Sequence, residues 1–181
     1  MATAGPNSPS AASGWSNSSN VYSSNNAYAT WTAGTGENTA VLKAQGYGFA
    51  IPAGSIINGV TVVAEVKASA SSSLYTDQMY LLDASGNATG TNKADAGSYW
   101  TASDANHTYG SSSDIWGCAL TDTWINDADF GVALRAHNAD VATRTASVDY
   151  ISITIDYVAG GQPMQARSRA VPYVRKSRIG W

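Results

Sequence analysis

The sequence predicts an all-β chain: an antiparallel β-sandwich, jelly-roll-like, with an extended N-terminal arm before it and a C-terminal tail after it. Three observations carry this reading. Apolar side chains alternate with polar or small ones over several short segments, which is the two-residue period of a half-buried strand. No segment of ten or more residues shows the 3.6-residue stripe of an amphipathic helix. Glycine (17 of 181 residues), Ser, Thr and Asn are plentiful while charged residues make up 13%, a composition that suits short strands joined by many turns. At this length one domain with its own core is expected.

Residues 1–20 hold Ser, Asn, Ala and Gly with one aromatic, Trp15, and follow neither period; they read as an irregular arm. Two runs then bracket Gly46. Thr39-Ala40-Val41-Leu42-Lys43-Ala44 and Tyr47-Gly48-Phe49-Ala50-Ile51 both read as strands, the second alternating large apolar with small residues. Pro52-Ala53-Gly54 forces a turn. Beyond it Val60, Val62, Ala64 and Val66 share one face while Thr61, Glu65 and Lys67 share the other. Ala68 to Ser73 is too polar for core and reads as a mobile loop. Met79-Tyr80-Leu81-Leu82-Asp83 is the next strand, stopped by the turn residues Asp83-Ala84-Ser85-Gly86-Asn87. Thr121 to Asp129 offers a single helical turn, capped by Asp122 or Thr123.

Phe130, Val132 and Leu134 alternate with Gly131, Ala133 and Arg135. Ile151, Ile153, Ile155 and Tyr157 alternate with Tyr150, Ser152, Thr154 and Asp156, the cleanest period-two signal in the chain. The last strand should therefore end near Tyr157 or Val158, giving a sandwich domain over residues 21–158 and a tail over 159–181. An immunoglobulin-like sandwich would show a Cys-Trp-Cys spacing, and this chain has a single cysteine.

The net charge of −3 hides an asymmetry. Up to residue 158, five basic side chains (Lys43, Lys67, Lys93, Arg135 and Arg144) stand against all thirteen acidic ones, a net of −8. From residue 159 on, Arg167, Arg169, Arg175, Lys176 and Arg178 stand with no acid, a net of +5. A split this sharp marks a body and an appendage that meet different surroundings. No run approaches the roughly 18 apolar residues of a membrane-spanning helix, so no membrane partner is expected. The first ten residues have neither the basic start nor the apolar run of a secretory signal, and a chain made in a cytoplasm and beginning near Met1 is the expectation.

Candidate chemistry is sparse. Cys118 lies in the apolar run Ile115-Trp116-Gly117-Cys118-Ala119-Leu120, which suits a buried thiol better than a nucleophile. His107 and His137 fall in polar loops, no Gly-x-Ser-x-Gly elbow is present, and surface histidines are the better reading. Asp127 and Asp129 near Asn126, or Asp83 with Asn87, offer oxygen ligands for calcium, but without EF-hand spacing they read as turn residues. Glutamate occurs only at Glu37 and Glu65, and Glu65 belongs on a solvated strand face, which argues against a carboxylate pair for glycoside hydrolysis. No catalytic residue, metal or cofactor is expected. In the loop-rich middle of the chain Tyr99, Trp100 and Tyr109 form the candidate platform for a glycan or a protein interface, whereas Trp116 and Phe130 belong in the core.

An ordered series of motifs runs from residue 15 to residue 158. It comprises Trp15-Ser16-Asn17, Tyr28-Ala29-Thr30, Gly46-Tyr47-Gly48-Phe49-Ala50-Ile51-Pro52-Ala53-Gly54 and Ile57-Asn58-Gly59-Val60. It continues with Gly90-Thr91-Asn92-Lys93-Ala94, Trp100, Tyr109-Gly110, Asp114-Ile115-Trp116-Gly117, Ile125-Asn126, Phe130-Gly131-Val132 and Val148-Asp149-Tyr150-Ile151-Ser152-Ile153-Thr154. In this order the chain resembles a widespread group of phage and prophage virion proteins. The resemblance implies a β-sandwich building block on the virion exterior, as capsid decoration or cement, head fibre or tail appendage, with no catalytic residue to carry over. Self-association, a trimer for instance, is implied by the resemblance alone. Tyr47 departs from the pattern, where Phe is expected.

The segment after residue 158 lies outside that resemblance. Its cations and apolar residues cannot bury enough surface alone to offset the entropy of ordering. Docking in an acidic groove of a neighbouring virion protein is the expectation, with Val171, Tyr173, Ile179 and Trp181 as anchors and Arg167, Arg169, Arg175, Lys176 and Arg178 pairing with carboxylates. Folding back onto the acidic body is the alternative. Nucleic acid is disfavoured, because five spread charges beside an acidic body make a weak patch. The expected function is thus a virion structural protein, a decoration or cement protein bound to the major capsid protein or another virion protein. The alternative is a tail or fibre component binding host-surface glycan.

Overall fold

The structure, a computed structural model, describes residues 1–160. Its strands are β1 (Ala2–Asn7), β2 (Ala11–Ser13), β3 (Ala29–Ala33), β4 (Leu42–Gln45), β5 (Ile56–Ala68), β6 (Leu74–Leu82), β7 (Ala88–Thr89), β8 (Ala105–Ser111), β9 (Gly131–Asn138) and β10 (Arg144–Val158). A 3-10 turn, Ser18–Val21, and one helical turn, α1 (Asp122–Ile125), complete the elements. All pairings are antiparallel. One sheet runs β1-β10-β5-β8, with β3 beside the first half of β10, and the other runs β2-β4-β9-β6-β7. The chain crosses between the sheets at nearly every connection, the jelly-roll-like winding of the expected sandwich.

β5 and β10 form the spine, paired from Ala146↔Ala68 to Val158↔Ile56. Their alternation sends Val60, Val62, Ala64, Val66, Val148, Ile151, Ile153 and Ile155 inward, each fully buried. Leu74, Met79, Leu81, Val132, Leu134 and Leu42 face them from the second sheet. Trp100, Trp116 and Phe130, all without solvent exposure, belong to the same core. Each buried indole donates its N–H: Trp116 to the Val60 carbonyl at 2.8 Å and Trp100 to the Thr76 hydroxyl at 3.0 Å.

Residues 1–20 are not an irregular arm. β1 pairs with β10 from Ile153 to Tyr157 and β2 pairs with β4, while Trp15, only 6% exposed, donates its indole N–H to the Ala40 carbonyl at 2.8 Å. These strands are built from Ala, Ser, Thr and Asn, so they lack the apolar contrast that makes alternation visible in a sequence.

Tyr47-Gly48-Phe49-Ala50-Ile51 buries its large residues as expected, but it is not a strand. Gly46 and Gly48 take positive φ (72° and 62°), and the backbone N–H and C=O of Ile51 are taken by the Asn126 side chain at 2.8 and 2.9 Å. Ala68–Ser73 is pinned rather than loose: Ser69 N–H donates to Thr145 O, Ser72 N–H to Trp100 O, and Ser73 is buried. Helix α1 is capped by Thr121, whose hydroxyl accepts from the Trp124 amide at 3.2 Å, and not by Asp122 or Thr123.

Candidate functional site

The motif residues meet in pairs that hold the frame. Asn126 clamps Ile51, as above. Asp114 accepts from the Trp116 amide at 2.8 Å and pairs with Lys93 at 2.7 Å. Asn92 accepts from the Met79 amide and donates to the Asp77 carbonyl across a bulge of β6. Asp149, 1% exposed, sits at the bulge of β10 and accepts from the amides of Asn25 and Asn26 at 3.1 and 2.9 Å. Gly131 is required by close approach, since a Cβ there would lie 1.9 Å from the Ala44 carbonyl oxygen.

Of the three expected platform aromatics, the structure leaves only Tyr99 exposed, at 41%. Trp100 is wholly buried and Tyr109 is 6% exposed, so neither can stack on a ligand from the surface. The reason lies in pairing with β6. Residues 92–100 run along the free edge of β6, where Lys93 N–H donates to Met79 O and Trp100 N–H to Leu74 O. This places Trp100 inside and Tyr99 outside. The Tyr99 ring meets Tyr75 edge-on at 5.6 Å between centroids, and Tyr75 in turn packs on His137 at 5.1 Å.

Beside Tyr99, between this segment and β8, lies a cleft of about 280 Å³. Its floor is Thr76 and Tyr109, whose hydroxyls are 2.7 Å apart. Burial, partly offset by that hydrogen bond, pushes the Tyr109 phenol up to about 12. Its walls carry Lys93, Asp95 and Tyr99 on one side and Asn106 and His107 on the other. Burial pulls His107 below the usual imidazole value, which keeps the ring neutral at pH 7.

The remaining candidates resolve individually. His107 and His137 lie on β8 and β9 rather than in loops, and both are half-buried. His137 Nδ1 is 2.8 Å from the Asn38 side-chain oxygen. Asp83 accepts from the amides of Ser85 and Asn87, and Asp127 from that of Asp129, which is turn chemistry. Among the described residues no group of three metal-ligating side chains comes together. Cys118 is a buried free thiol, raised by burial above its usual range. The tail residues Arg167, Arg169, Val171, Tyr173, Arg175, Lys176, Arg178, Ile179 and Trp181 lie outside the described residues. The sequence reading missed Tyr75, Lys93, Asp95 and Asn106 as neighbours of Tyr99. The alternation Leu74-Tyr75-Thr76 was the available signal for the first of these.

No family model matches the chain, and no curated protein matches it. Two solved structures are similar in fold. One, described as "CBM4 structure and function", is 12% identical over 75% of this chain and 87% of its own, with a TM-score of 0.45. The other, the N-terminal cellulose-binding domain of Cellulomonas fimi β-1,4-glucanase C, is 12% identical over 70% and 76%, with a TM-score of 0.37. Neither protein's ligand is carried over to this chain.

Proposed function

We propose that the chain is a non-catalytic structural protein of a bacteriophage virion, a capsid decoration or cement protein that docks on a neighbouring virion protein through its C-terminal segment. The observation that carries this reading is the use made of the motif residues. Asn92, Asp114, Asn126 and Asp149 each tie one part of the backbone or one motif to another. Residues engaged in this way specify a rigid block rather than a reaction.

The pole from which the C-terminal segment leaves also suits docking. Val158 pairs with Ile56, and Ala2 with Tyr157, so the ends of β1, β10 and β5 lie side by side. Met1, Ile56 and Val158 are exposed there at 84%, 67% and 46%. An apolar row at the root of a basic segment supplies both kinds of contact found in protein interfaces, and repetition over a symmetric particle multiplies weak contacts.

The test is co-sedimentation of the full chain, and of a chain lacking residues 162–181, with heads that lack this protein. Saturable binding by the full chain and none by the truncated one is expected, with the truncated form retaining its thermal midpoint. Absence of binding by the full chain, or equal binding by both, overturns the reading.

A further inference from the structure

The cleft beside Tyr99 differs from the frame just described. In the frame, long polar side chains are turned onto backbone groups. Around the cleft, Ser98, Asn106 and His107 make no side-chain hydrogen bond among the described residues and converge on one space above the hydroxyls of Thr76 and Tyr109. Asp95 uses one carboxylate oxygen on the Gly97 amide at 2.9 Å. Lys93 is held in place by Asp114, so its charge is balanced.

We propose that this cleft binds one neutral sugar ring of a glycan, with Tyr99 against the apolar face of the ring and Asn106, His107 and Asp95 taking its hydroxyls. The chemistry matches on each count. Sugar hydroxyls both donate and accept, so they need mixed partners: the Asn106 amide offers both roles, a neutral imidazole donates from one nitrogen and accepts at the other, and a carboxylate accepts. Burial keeps His107 in that neutral form. The volume of about 280 Å³ lies at the low end of ligand pockets, which run to roughly 300–1,000 Å³, and has room for a single ring. Tyr99 is itself braced by Tyr75, so its exposed face is pre-ordered for stacking. The site does not depend on where in a virion the protein stands, because it lies away from the C-terminal segment's root.

Saturation-transfer NMR on the full chain tests this with glucose, galactose, mannose and N-acetylglucosamine, each taken to about 50 mM, well above the roughly 1 mM dissociation constant expected of a one-ring site. At least one of the four should receive saturation and shift the backbone amides of Ser98, Tyr99, Asn106 and His107. Tyr99→Ala should weaken that binding about tenfold or more while Tyr99→Phe retains it, both with an unchanged thermal midpoint. No transfer to any of the four sugars, shifts that map elsewhere, or unchanged binding by Tyr99→Ala overturns the proposal. Head binding by the Tyr99→Ala chain reads the decoration role separately, so failure of one does not mimic failure of the other.

Discussion

Asn138 is fully buried at the end of β9, with its side-chain nitrogen 3.1, 2.9 and 2.8 Å from the carbonyl oxygens of Ala33, Gly34 and Ala142. Its side-chain oxygen accepts from the Asp140 amide at 3.0 Å. One amide thus closes the β9–β10 turn and fastens it to the end of β3. Asn138→Ala leaves buried carbonyls without a donor and should cost about 2–4 kcal/mol, read as a lower urea midpoint with an unchanged slope. Asn138→Asp, which sets a carboxylate among carbonyls, should cost at least as much. At this scale the sequence was partly legible. Trp116, Phe130 and Cys118 are buried as their apolar settings imply, whereas Trp100 and Tyr109 sit in stretches that read as loop. Nothing local in Ser98-Tyr99-Trp100 tells which aromatic turns inward, because the decision is made by hydrogen bonds to β6, far along the chain.

Among elements, β5 and β10 were legible because each turns its large apolar side chains to one face and its small or polar ones to the other, and that chemical contrast is visible as alternation. β6 was read short, from Met79 instead of Leu74, because the bulge between Thr76 and Gln78 breaks the period in mid-strand. Tyr47–Ile51 shows the converse: alternation reports which side chains are buried, and a side-chain clamp can stand where ladder partners would. β1 carries neither signal, yet it covers the edge of β10 from Ile153 to Tyr157. Removal of residues 1–7 should lower Tm by about 5–10 °C, the equivalent of roughly 2–3 kcal/mol, and should raise self-association through the bared edge. Thermal melts and sedimentation velocity on the shortened chain check both. An unchanged melt would mean that the pairing of β1 contributes little.

For the whole molecule, acid should act in two stages. His107 has its folded pKa lowered by burial, so the unfolded chain takes up that proton first and stability begins to fall below about pH 6.5. His107→Gln should flatten this first decline. Asp83 is held low by the Asn87 and Ser85 amides and Asp140 by Arg144; at Asp114 burial opposes ionisation, but Lys93 and the Trp116 amide outweigh it. Their contribution is present above about pH 4 and lost as pH falls through their lowered values, so a second and steeper decline follows. Urea midpoints at neutral, mildly acid and strongly acid pH separate the two. The root of the C-terminal segment lies in mid-sheet. It continues from β10, a 15-residue strand bonded to β5 on one edge and to β1 and β3 on the other. A pull on that segment along the strand axis loads the flanking ladders in shear, many rungs at once, whereas an edge strand would peel rung by rung. Seen as a mechanical part, the body is a cleat with its line made fast to an interior strand.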